Sequence, residues 1–160
     1  MASDIFLKID GIKGESQDKA FKGEIDIDNF SFGVQNSGDM GRGGGGGAGK
    51  ANFQDFHFNK RVDKASPLLM LACASGKHIA KADLIVRKAG GNKQEEYYTV
   101  KFTDILISSF DNSGTENDNP MESISFNFAK IEFYYKEQDE KGGLASTANA
   151  GWDLKKNQKV

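Results

Sequence analysis

The residues whose types and spacing could do chemistry most plainly are Gly44, Gly49 and Lys50. A glycine, four residues, a second glycine and a lysine make up most of a phosphate loop, whose backbone N–H groups cradle a phosphate while the lysine reaches its oxygens. Residue 51 is alanine, so the hydroxyl that would bind magnesium is missing. A phosphate loop also needs a helix after it, so that the helix N-terminus meets the anion. Here the Phe-rich stretch Ala51–Phe58 follows and has the pattern of a strand. These residues therefore point away from nucleotide binding.

The same segment supports a different expectation. Five consecutive glycines cost much backbone entropy if ordered, yet they let one backbone approach another closely. Met40 is its only large apolar residue, so the segment cannot bury a surface of its own. Gly38, Asp39, Met40, Gly41, Arg42, Gly43, Gly44, Gly45, Gly46, Gly47, Gly49 and Lys50 are therefore expected to contact another subunit. Arg42 and Lys50 could meet acids of a neighbour such as Glu24 or Asp26.

Other reactive types are sparse. His57 lies between Phe56 and Phe58 and is expected to face solvent or an interface. His78 follows the best helix candidate and is expected to cap or contact its C-terminal carbonyls. Cys73 falls within that apolar helix, which suggests a buried, inert thiol. Cys73, His57 and His78 are too few and too scattered for a structural zinc cluster. Asp26 and Asp28, flanked by Glu24, read as an ordinary polar face, and no Gly-x-Ser-x-Gly elbow occurs. The acidic stretch Asp111–Glu122 reads as a polar loop without periodicity, and it lacks the helix–loop–helix setting of a calcium site. No catalytic set and no cofactor is indicated.

The elements that would position these residues are mostly strands. Ile5, Leu7 and Ile9 alternate with Asp4, Phe6 and Lys8. Ile25 and Ile27 are followed by Phe30, Phe32 and Val34 on the other parity, which predicts a bulge or bend at Asp28–Asn29. Parity also switches between Phe102 and Ile105, and between Phe128 and Ile131. Long strands that bend this way suit a closed or nearly closed β-barrel. Ala82, Leu84 and Val86 lead through a glycine turn to Tyr98, which predicts a hairpin. Ser66–Gly76 predicts one helix, capped by Ser66, with Pro67 in its first turn and Gly76 as its stop, buried against the barrel wall or a partner. Gly151–Leu154 offers a final strand or docking point. The expected architecture is mainly β: a single domain over 1–160, a closed or nearly closed barrel of two sheets, one short flanking helix and a long glycine-rich loop.

Composition agrees with this class. The chain has 160 residues, of which 19 are Gly, 12 Phe and only 2 Pro. Lys and Arg number 21 against 23 Asp and Glu, a balance that argues against nucleic acid as a partner. No run approaches the ~20 apolar residues of a membrane helix. The start, Met1–Lys8, has no basic segment followed by an apolar run, so synthesis in the cytoplasm without a cleavable signal peptide is expected.

Several segments together resemble a known family. Asp4–Ser16, the Gly46–Lys50 end of the glycine loop, Ala72–His78, Ile85–Gly91, Asn127–Ile131 and Gly151–Asp153 look like the haemolysin-coregulated proteins, the tube subunits of type VI secretion systems. The likeness covers nearly the whole chain in order. It implies a compact β-barrel assembled as a homohexameric ring, with rings stacked into a tube. It further implies a spike protein at the tip, a contractile sheath around the tube, secreted effectors carried and chaperoned inside, and export to the medium or a target cell. The resemblance places the strand with Ser31, Gly33 and Gln35 on the lumen, because these residues alternate with Phe30, Phe32 and Val34. Two other classes fit less well. A ligand-binding β-barrel module, for instance for carbohydrate, would need exposed aromatic platforms, and an enzyme would have to rest on Cys73 or His57 alone.

Overall fold

The computed structural model describes residues 3–38, 49–88, 95–138 and 144–160. The strands are β1 (Ser3–Ile9), β2 (Ile25–Asp26), β3 (Asn29–Ser31), β4 (Val34–Asn36), β5 (Ala51–Phe53), β6 (Phe56–Arg61), β7 (His78–Lys88), β8 (Glu96–Thr115), β9 (Asp118–Gln138), β10 (Leu144–Asp153) and β11 (Gln158–Lys159). One helix, α1 (Ser66–Ser75), joins β6 to β7. All pairings are antiparallel.

The two longest strands organise everything else. β8 and β9 pair along nearly their whole length. Beyond β9 the sheet forks. Residues 121–126 of β9 pair with β6, and β6 with β3, whereas residues 130–138 pair with β10 and then β11. On the other side β8 pairs with β7, then β1, then β2. β4 and β5 form a separate two-stranded hairpin. The expected closed barrel is thus met only in its mainly-β character. Among the described residues the hydrogen-bonded path ends at β2 and β11 and does not close on itself.

The sheet nevertheless folds over a core of aromatic rings. Phe56, Phe102 and Phe126 meet at centroid distances of 4.9–5.0 Å, and Phe128 lies 4.9 Å from Phe102. Phe30 and Phe32 come across from the other arm to touch Tyr98, Phe102 and Phe133. The parity switch in β8 is realised at Asp104, whose φ of 54° turns the strand so that Phe102 and Ile105 both point inward. The switch near Asp28 is a full break rather than a bulge: β2 stays with β1, and β3 crosses to β6.

Several expectations need correction. Asp111–Glu122 is not a loop but the outer end of the β8–β9 hairpin, turned at Glu116–Asn117. Residues 111–120 lack alternation because this part extends past the core and exposes both faces; backbone pairing alone makes it a strand. β10 is the hairpin partner of β9. Ser66 does not cap α1. Its Oγ accepts the Asp63 N–H, while Asp63 Oδ1 accepts the Ala65 N–H. The helix stop is as expected: Gly76 has φ 65°, and the Gly76 and Lys77 N–H groups donate to Cys73 and Ala72 carbonyls. These backbone bonds close the helix end, and His78 instead opens β7 opposite Leu106. Only one side of the helix is buried, through Leu69 and Ala72, and Cys73 is half-buried rather than enclosed.

Two polar anchors tie irregular segments to the sheet. Lys60, fully buried, sits 2.7 Å from Asp63 and 2.8 Å from Glu122, and donates also to Ser66 Oγ and the Arg61 carbonyl. It joins β6, β9 and the start of α1. Arg87 lies over the stacked rings of Phe6 and Phe21, and its guanidinium donates to Asp18 and Asp4. That contact fastens the segment between β1 and β2 to the outside of the sheet.

Candidate functional site

Alternation along β3, β6, β9 and β8 sorts residues onto two faces. Phe56, Phe58, Ile124 and Phe126 fill the core, with Phe30 half-buried beside them. The opposite face carries two rows in register. Asn29, Asn59, Ser123 and Asp111 form one, and Ser31, His57, Ser125 and Ser109 form the other. Hydrogen bonds run along and beside these rows. Asn59 donates to Asn29 at 2.5 Å, Ser123 donates to Asn59, and Ser108 donates to Asp55 at 2.6 Å. Ser125 bonds Ser108 and Ser109 at 2.8 and 2.5 Å. This wall is made of short polar side chains and its rows contain no Lys or Arg.

The outward face of the other arm differs. Lys8, Asp83, Lys101 and Glu132 lie side by side across β1, β7, β8 and β9, alternating in sign. Lys101 sits 5.3 Å above the Tyr134 ring, and the Tyr134 hydroxyl donates to Glu132 at 2.6 Å. That bond holds the Glu132 carboxyl below its usual range and pushes the Tyr134 hydroxyl up. Burial is the main cause that raises the Asp83 carboxyl, with Lys101 and Lys8 opposing it.

The residues expected to share one lumen strand do not. Ser31 is exposed in the second row of this polar wall. Gly33 follows the end of β3, half-buried, with the Gln54 side chain 3.3 Å from where its Cβ would be. Gln35 belongs to β4, on the separate hairpin, because β3 pairs with β6 while β4 pairs with β5. His57, Asn29, Asn59, Ser123 and Ser125 complete the wall. Their signal in the sequence was the polar parity opposite Phe56, Phe58, Ile124 and Phe126, but only register across strands brings them together.

The β4–β5 hairpin carries the glycine segment at its end. Gly38, Gly49 and Lys50 are described; Asp39, Met40, Gly41, Arg42, Gly43, Gly44, Gly45, Gly46 and Gly47 lie outside the described residues. Asn36 clasps the two arms, accepting the Gly38 N–H and donating to the Gly49 carbonyl, both at 2.8 Å. A Cβ at Gly49 would stand 2.5 Å from the Gly38 nitrogen, so only glycine permits this approach. β5 and β6, not a helix, follow Lys50. Of the acids considered for Arg42 and Lys50, Glu24 is buried and already paired with Lys13 at 2.9 Å. Asp26 is exposed on β2, although partial desolvation by its surroundings raises its carboxyl above the usual value.

Among the described residues no group of three or more His, Cys, Asp or Glu could hold a metal ion, and no helix is long and apolar enough to cross a membrane. An apolar groove of about 270 Å³ lies between the β4–β5 hairpin and β9–β10, lined by Phe32, Val34, Phe53, Phe133 and Trp152 among others.

Comparison with known proteins fits this arrangement. The family described as "Type VI secretion system effector, Hcp" matches residues 6–135. Protein hcp1 of Pseudomonas aeruginosa is 43% identical over 159 residues, 98% of each chain. A structure described as a type six secretion system protein superposes with a TM-score of 0.93 at 31% identity, covering 99% of this chain and 100% of that one. Hcp1 of Salmonella typhimurium superposes with a TM-score of 0.82 at 34% identity over the same shares. With its family signature spanning most of both arms and its fold shared by solved Hcp structures, this chain belongs to the Hcp family of type VI secretion proteins.

Proposed function

We propose that the chain is a structural subunit of the type VI secretion tail tube. Copies close into six-membered rings, rings stack, and effectors ride inside the ring, which serves as their carrier and chaperone. A contractile sheath surrounds the tube and a spike protein sits at its tip. The protein is made in the cytoplasm and leaves the cell through this machine.

The observation that carries this reading is the contrast between the two outward sheet faces. A channel wall must let a passenger touch it without being obstructed or trapped. Ser and Asn side chains exclude little volume and offer hydrogen bonds without the desolvation penalty of burying a charge. The β3–β6–β9–β8 wall has that chemistry. Ser31 belongs to the lumen in this reading, with Gly33 at its edge and Gln35 on the adjoining hairpin. The charged Lys8–Asp83–Lys101–Glu132 face suits the tube exterior. The segment from Gly38 to Lys50 joins neighbouring subunits or successive rings.

Negative-stain imaging with native mass measurement tests this. Annular particles with a central hole and the mass of six chains are expected, and a folded monomer at all concentrations overturns the reading. Shortening Gly43–Gly47 to two glycines should leave the circular-dichroism spectrum native but weaken assembly. Undiminished assembly would make the segment a mere connector.

A further inference from the structure

The polar wall does not end at the Ser31 row. Past the irregularity at Ser108, Asn127 of β9, Leu106 of β8 and His78 of β7 stand in register on the same outward face. Beyond them the two long strands part. Ile105 pairs with Ile79 and Phe128, and Thr103 with Lys81 and Lys130, so Asp104 has no opposite residue on either neighbour. Its φ of 54° is a left-handed value, which a non-glycine residue in a strand seldom takes. The Ala129 carbonyl accepts the Leu154 N–H at 2.8 Å. The parting leaves a recess of about 490 Å³. Leu106, Phe128 and Leu154, buried or half-buried, form its floor, and His78, Asp104, Asn127 and Lys155 form its exposed rim. Among the described residues none of these four rim side chains has a hydrogen-bond or ion-pair partner. A strained residue that satisfies no local bond is a pointer to a site where its side chain is kept for a ligand.

We propose that this recess holds an extended peptide segment of a passenger, with one apolar side chain on the floor and main-chain groups on the rim. The inference rests on the ring reading above and names the place on the wall where a carried protein is gripped. The rim chemistry selects the occupant. Asp104 accepts only, Lys155 donates only, and Asn127 and His78 can do both. The carboxylate and the ammonium oppose each other, so a free anion or cation gains little net attraction there. A peptide main chain is uncharged and supplies N–H donors and C=O acceptors together, and its side chain supplies the apolar area that the floor can bury. A sugar would need an exposed ring face to stack on, and Phe128 is only 6% exposed. The Ser and Asn rows let a passenger touch the wall without holding it; the recess, on the same face, adds the hollow that holds it.

The test uses the full chain and a probe peptide, acetyl-Gly-Ser-Leu-Ser-Gly-amide, whose leucine carries a photoreactive diazirine. After irradiation, peptide mapping should place the label on Leu106, on residues 127–129 or on residues 154–155, and excess unlabelled peptide should remove it. Asp104→Gly keeps the left-handed backbone without strain. It should leave the urea midpoint no lower and cut labelling at least about fivefold. Label scattered over the wall, or undiminished in Asp104→Gly, overturns the proposal. Should Asp104→Gly lower the midpoint, Lys155→Ala, outside the strands, decides. Its labelling should fall at least about threefold, and unchanged labelling overturns the site. Rings by native mass with no label overturn the recess and leave the ring reading standing. Label on the recess of a chain that stays monomeric overturns the ring reading and the passenger role with it. A folded monomer that takes no label overturns both.

Discussion

Replacing Phe56 by alanine is the sharpest test of how the sheet holds together. Phe56 is 0% exposed, and its ring lies 4.9 Å from Phe102, 5.0 Å from Phe126, 5.9 Å from Phe58 and about 6 Å from Phe30 and Phe32. It therefore joins the β3–β6 arm to the β8–β9 spine. Losing the buried ring forfeits about 1.5–3 kcal/mol of transfer free energy. The cavity adds more, at about 24 cal/mol per Å³ that the neighbours fail to refill, for a total near 3–5 kcal/mol. Ring partners on every side are rigid and cannot collapse well, which puts the cost at the upper end. Phe32 touches four of the same cluster, but it is only half-buried and lines the open groove. Its truncation leaves a dent open to water, and the expected cost is about half as large. The assay is urea unfolding of both variants at one protomer concentration, because assembly couples stability to mass action. The midpoint should move with the slope unchanged. Equal losses for the two variants, or a loss below about 1 kcal/mol for Phe56→Ala, would refute the placement of the core in this crossing of arms.

The buried Lys60–Glu122 pair should prove more costly to break than to remove. Lys60→Met leaves Glu122 buried without its cation and should lose about 3–5 kcal/mol, whereas adding Glu122→Gln should recover a large part of it; a double variant no better than the single in urea unfolding would contradict the pairing. The hydrogen bond from Arg87 lowers the Asp18 carboxyl below its unfolded value, so this contact stabilises the fold above about pH 4 and fades as pH falls through the lowered value. Asp18→Asn should accordingly flatten the acid limb of a stability–pH profile, and an identical slope in the two proteins would speak against it. Ser31→Gln adds bulk without charge to the wall of short polar side chains, so rings should form but retain an effector poorly in co-purification; broken rings would make that wall an interface instead.

Much of this molecule was decided locally. Side chains alternate along a strand with a period of two, so Phe56/Phe58 and Phe126/Phe128 declare an inward face from spacing alone, and parity switches betray the bends later seen at Asp104. Pro67 and Gly76 bracket the helix because φ near −65° and a left-handed residue are local requirements. What the sequence did not contain is which strands lie beside each other. The row Ser31–His57–Ser125–Ser109 draws on four strands spread over the stretch from residue 31 to residue 125, and only register aligns them. The same holds for Glu24 and Glu122, read as ordinary acids but buried because Lys13 and Lys60 arrive from elsewhere in the chain. Asp111–Glu122 reads as a loop since, beyond the core, no side-chain pattern is needed when a neighbouring backbone supplies the hydrogen bonds. Ser31 and Gln35 look like neighbours on one strand and part company because β3 and β4 find different partners. Periodicity reports the face a residue prefers; the long-range pairing of backbones determines what that face is joined to.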